Sequence, residues 1–139
     1  TIDHDFTLPN GVGDSEREWD GQRFVHHIKD TAVWQPSPID GFILRDTGIC
    51  EGTKGVAGIQ VLRRGQGQSP AFTHDADIHF TFVMEGTMTL HAEGQNDSAL
   101  QAGDGFVIPP DMIVQYQDAS DDIELLQVAL RGDFITKPI

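Results

Sequence analysis

The sequence has one cysteine, Cys50, so no internal disulfide can staple the fold, and a reducing, cytoplasmic setting is the expectation. Basic side chains are scarce too. Nine lysines and arginines stand against 22 aspartates and glutamates, a formal net charge of −13. Such a balance repels a phosphate backbone and an anionic leaflet, which excludes nucleic acid and membrane surfaces as partners. No run of eighteen apolar residues and no basic-then-apolar leader occurs, so neither a membrane span nor a signal peptide is expected. In that setting the Asn96-Asp97-Ser98 sequon carries no meaning, and Arg131-Gly132-Asp133 reads as a strand-ending turn. Helical stretches with clean caps are missing as well.

What is present points to strands. At 139 residues and 38% apolar content, the chain has the size of one domain with one core. Its 15 glycines and 7 prolines are spread rather than clustered, which argues for many turns between short strands. Residues 1 to about 20 mix charge, glycine and proline without periodicity and read as an arm. Strands are expected at Phe24 to Ile28, Gly41 to Leu44 and Gly55 to Arg64. Next, Phe80 to Met84 and Met88 to His91 flank Glu85-Gly86-Thr87, a hairpin with glycine in its turn. Gly105 to Ile108, Ile113 to Tyr116 and Ile123 to Leu130 complete a series of eight to ten strands, the pattern of an antiparallel sandwich or barrel. The organisation expected is 1–55 as arm and accessory strands, 56–131 as barrel core and 132–139 as tail.

Within that series sits a spaced pair of histidines. Phe72-Thr73-His74 is followed by His79 and then Gly86, and seventeen residues later by Gly103-Asp104 and Ile108-Pro109-Pro110. This resembles the cupin superfamily over roughly residues 56 to 130, which implies an all-β jelly-roll barrel, a double-stranded β-helix, here with an N-terminal arm. Counted back from Gly86, His79 falls where the family has its glutamate, His74 on its second histidine and Phe72 on its first. In the second motif Gly103 and Pro109 match, Asp111 replaces a glycine and Val114 falls on the histidine. Two of four expected ligands are thus apolar. Upstream, Trp34, Pro36, Pro38, Gly41, Arg45 and Arg63 are similar to the ChrR-like cupins, a branch that includes diketone-cleaving dioxygenases and a zinc-binding sensor domain.

Imidazoles on the strands of a rigid barrel are a usual way to hold Fe(II), Mn, Ni, Cu or Zn with open positions. His74 and His79 are therefore expected metal ligands, with His91 as third; Gln127, Gln115 or Tyr116 are the other possible donors. The opposing expectation is that both histidines are barrel-lining residues bonded to one another or to water. Phe72 and Val114 make the cavity apolar, with Phe82 and Gln127 as further lining, which suits a small apolar or aromatic ligand. Tyr116, the only tyrosine, is the expected general acid or hydrogen-bond donor. Asp75 and Asp77 could orient an imidazole or form a solvated turn. Two functions follow: a metal-dependent, non-haem dioxygenase-like enzyme on a small carbonyl or aromatic compound, or a non-catalytic module that binds or senses a small molecule. Exposed strand edges and the arm lead to the expectation of a homodimer.

Overall fold

The computed structural model describes residues 17–139; His4 and most of the expected arm lie outside them. Thirteen short strands carry the described chain, joined by turns, a 3-10 turn at Lys29–Thr31 and one short helix, α1 (Ile49–Gly52). A two-residue pair, β1 (Glu18–Trp19) and β2 (Gln22–Arg23), precedes β3 (Gln35–Pro36), β4 (Phe42–Asp46) and β5 (Ala57–Arg64). Then come β6 (Phe72–His74), β7 (Ile78–Glu85), β8 (Thr87–Ala92), β9 (Ser98–Gln101), β10 (Gly105–Val107), β11 (Val114–Gln117), β12 (Glu124–Leu130) and β13 (Thr136–Pro138).

Two antiparallel sheets face one another, ordered β10-β7-β12-β5-β4-β3 and β13-β6-β11-β8-β9. This is the jelly-roll arrangement expected. Strand alternation decides what looks inward. On β7, His79, Thr81 and Val83 are buried while the residues between them are only partly so; on β12, Leu125, Gln127 and Ala129 are the buried set. Register pairs these sets across the sheet: Ala129 with His79, Gln127 with Thr81, Leu125 with Val83. On the other side of β12, Gln127 pairs with Gln60 and Leu125 with Leu62. Passing from His79 to Val83, the interior therefore changes from polar to apolar. The apolar part gathers Phe42, Leu44, Leu62, Val83, Met88, Ile123 and Leu125.

Two turns depend on glycine. Gly86 joins β7 to β8 with φ of 84°, a left-handed conformation that L side chains rarely adopt; a Cβ there would also lie 2.7 Å from Ile123 Cα. At Gly132 a Cβ would sit 2.6 Å from the Ala57 carbonyl and 2.8 Å from Cys50 Sγ. That contact makes Arg131-Gly132-Asp133 a tight turn out of β12.

Two expectations on strands need correction. Phe24 to Ile28 forms no strand; Phe24 is 77% exposed, and no neighbouring strand edge takes it up. The segment 132–139 is more than a tail, because β13 pairs with β6 through Thr136–His74, Lys137–Thr73 and Pro138–Phe72.

Candidate functional site

The loop Asp75-Ala76-Asp77 folds β6 back onto β7 and brings the two expected histidines together, their rings stacked at 4.3 Å and 25°. They are not equivalent. His74 Nδ1 accepts the Ala76 N–H at 3.0 Å, which leaves Nε2 to carry the proton and donate it to the Ile108 carbonyl at 2.8 Å. Both nitrogens are used by backbone. His79, fully buried, has neither: its Nδ1 and Nε2 lie out of reach of water and of any protein partner. Burial, helped by the neighbouring His74 ring, pushes its pKa down to about 4, so the ring is neutral at pH 7. Gln127 lies beside it and opposes the shift, but outside good hydrogen-bonding geometry; one of its two amide N–H groups goes to Gln60 Oε1 at 3.2 Å.

One step further into the barrel the same condition recurs. Thr81 Oγ1 and Tyr116 Oη are both buried and unpartnered. Burial pushes the Tyr116 phenol up from its ordinary value, and the approach of the Thr81 hydroxyl as a hydrogen-bond partner opposes the shift; the two hydroxyls face one another outside good hydrogen-bond geometry, and the Tyr116 O–H stays on as a donor. Edge-on packing against Phe72 (5.2 Å), Phe42 (5.7 Å) and Phe106 (6.0 Å) holds its ring. A buried polar atom without a partner costs about 1–3 kcal/mol. His79, Thr81 and Tyr116 carry that cost in one place, with Gln127 and Gln60 beside them.

A metal does not fit this donor set. His74 has no free lone pair while it holds Ala76 and Ile108, which leaves His79 as the one available imidazole nitrogen donor. Among the described residues no group of three His, Cys, Asp or Glu side chains is placed to hold a metal. His91 was the expected third ligand; the structure places it outside the sheet, half-exposed and bonded to Asp97 at 2.6 Å. The reason is strand parity: Leu90 pairs with inward-facing Tyr116, so the next residue must face out. Phe82 is corrected for the same reason. It alternates with buried Thr81 and Val83 and lies on the outer face.

Phe72 and Val114 do face inward, as Cα partners on β6 and β11, at 1% and 0% exposure. Asp75 orients no imidazole. Its carboxylate accepts the Ile135 N–H at 2.6 Å and its carbonyl accepts from Arg131, while Asp77 lies 3.6 Å from the Arg131 guanidinium. Together they tie down the last segment, whose Phe134 stands edge-on over His79 (5.4 Å) and His74 (6.3 Å). Arg45 and Arg63 both lie against Trp34 rather than in the barrel site, with Arg63 also paired to Glu124 at 3.1 Å.

A cleft of about 460 Å³ has Leu90, Ala92, Ile108, Met112 and Val114 in its wall and Gln95, Asn96 and Ser98 along it; His79, Thr81 and Tyr116 do not line it. Ile108 is shared: its side chain lines the cleft while its carbonyl holds His74. A second cavity, of about 420 Å³, is lined by Tyr116 among others and carries Arg64 and Asp118.

Residues 58–126 match the family model for the cupin domain, and solved structures of similar fold include other cupins. The chain belongs to the cupin superfamily. A PAC13 structure from Streptomyces with uridine is 14% identical, with TM-score 0.61 over 80% of this cupin and 88% of that chain; Pac13 is described as a nucleoside dehydratase. RemF, a polyketide cyclase from Streptomyces resistomycificus, is 12% identical with TM-score 0.66, covering 84% of this cupin and 85% of its own chain. A cupin described as a sugar phosphate isomerase, from Silicibacter pomeroyi, is 20% identical with TM-score 0.61, covering 76% and 75%. At these identities the likeness is one of fold. Comparison with curated proteins returns no match. Among the described residues no helix is long and apolar enough to cross a membrane.

Proposed function

We propose that this cupin binds one small molecule against His79, Thr81 and Tyr116 and acts on it by proton transfer, without a metal. The observation that carries the reading is the set of buried, unpartnered polar atoms on those three residues. Native proteins pair nearly all such atoms, and an unpaired group calls for a reason. A bound oxygen-bearing molecule would supply the missing hydrogen bonds. The dioxygenase expectation is set aside, since oxygen chemistry at a metal needs more free donors than His79 offers.

In this reading neutral His79 takes a proton from the bound molecule and Tyr116 donates a hydrogen bond to the oxygen on which negative charge grows. That charge raises the basicity of the adjacent imidazole at the moment it is needed. The proton then returns from His79 to the rearranging or departing oxygen, so nothing is oxidised. Similar structures described as a dehydratase, a cyclase and an isomerase give this class of reaction indirect support. A second reading, binding without turnover, draws on the low basicity of His79, which makes it a weak resting base.

The test uses 2-hydroxyacetophenone in D₂O with EDTA, following loss of the proton signal alpha to the carbonyl. Exchange at least about tenfold above buffer, surviving EDTA and lost in His79→Ala, is the expected result. Exchange no faster than buffer leaves the binding reading, and exchange abolished by EDTA overturns the metal-free one.

A further inference from the structure

We propose that the molecule this site takes is uncharged, with an oxygen-bearing head and an apolar body, and that phosphorylated or carboxylated compounds are excluded. The inference rests on the small-molecule reading above and adds to it the chemical class of the ligand.

The first argument is the interior itself. Around the unpartnered atoms stand two imidazoles, a threonine, a tyrosine and two glutamines, with no lysine, arginine, aspartate or glutamate among them. An ion entering this space would lose its hydration and meet no opposite charge, a cost the protein cannot offset there. The unpartnered atoms do suit a hydroxyl or carbonyl oxygen. Tyr116 and Thr81 can donate to it, and His79 can accept from it or donate.

The second argument is the cleft. Its apolar wall includes Ile108, whose carbonyl holds His74, and Val114, which shares the buried face of β11 with Tyr116, and Gln95, Asn96 and Ser98 are its polar lining. In a chain with 22 acidic and 9 basic residues, a cavity of this size without a charged lining residue stands apart. The second cavity shows the contrast, since it carries Arg64 and Asp118. Asp97 and Glu93 flank the Gln95 and Asn96 lining in the chain. Asp97 is held by His91 on the outer face, and Glu93 accepts the Ile113 N–H at 2.9 Å. Those carboxylates repel an approaching anion.

Binding of three compounds on one scaffold tests this: neutral 2-hydroxyacetophenone, its phosphate ester phenacyl phosphate, and mandelate. Binding is read from the His79 imidazole ¹⁵N shifts. The expected result is that the neutral compound binds at least about tenfold more tightly than either anion, the selectivity a missing counter-charge produces. Asn96→Arg, which adds a cation at the rim, should narrow that ratio by tightening the two anions. Asn96→Trp and Val114→Trp fill the cleft from rim and wall and should weaken the neutral compound; the exposed Asn96 position keeps the test usable if the buried variant does not fold. Anions that bind as tightly as the neutral compound, and are lost in Asn96→Trp, overturn the charge inference and leave the small-molecule reading standing. No shift at His79 with any of the three overturns both.

Discussion

The two halves of this barrel interior are built on the same strands and obey opposite rules. Around Leu125, Val83 and Leu62 every buried group is apolar, and the side chains interlock as a core should. Two residues along β7 at Thr81, and four along at His79, buried polar atoms stand without partners, and Gln127, facing Thr81 on β12, spends its one recorded hydrogen bond on Gln60. The first half holds the fold together, and the second carries the cost of buried polar atoms without partners. The difference places an apolar core and a polar cluster a few residues apart on the same strands of one cupin barrel.

Substitutions on either side of that boundary should therefore differ in sign as well as size. The largest effect is expected in the apolar half: Leu125→Ala, at 0% exposure, should cost roughly 2–5 kcal/mol in urea unfolding. A loss below about 1 kcal/mol would mean that half is not the stabilising one.

Acid titration should give the next largest effect. The His79 pKa is near 4 when folded and 6.5 when unfolded, so the unfolded chain binds the extra proton between those values. Stability should fall as pH drops from about 6.5 to about 4, by roughly 3 kcal/mol from this residue, and level off below. His79→Leu should lack that part of the slope; an identical slope in the variant would show His79 to be an ordinary, solvated histidine.

Smaller still is Tyr116→Phe. Removing a hydroxyl that has no partner should leave stability unchanged or raise it by up to about 1 kcal/mol. A loss of that size would reveal a hydrogen bond the folded protein makes. His91→Ala, on the outer surface, should stay within about 0.5 kcal/mol and leave ligand binding untouched.

Much of this boundary was legible in the sequence. Gly86 and Pro109 set the register well enough to place His74, His79, Phe72 and Val114 on inward positions, because alternation on a strand is a local rule. The same rule puts His91 and Phe82 on the outer face, because Leu90 and Thr81 beside them point inward. Three decisive features left no local trace. Ile108 and Ala76 claim His74 through backbone atoms, which every residue type shares. Phe134 reaches the histidines only because β13 folds back along β6. Gln60 joins the cluster through the pairing of β5 with β12, a contact between residues 67 apart in the chain. Long-range pairing and backbone partners are what residue spacing cannot encode.

The central claim is the inequality of the two histidines, and imidazole ¹⁵N spectra across pH, with and without Co(II), test it directly. His74 should show the Nε2–H tautomer, His79 should stay neutral until pH falls to about 4, and neither should broaden with the metal. Paramagnetic broadening of both rings together, with loss of the His74 Nε2 proton, would contradict the account and restore a metal centre.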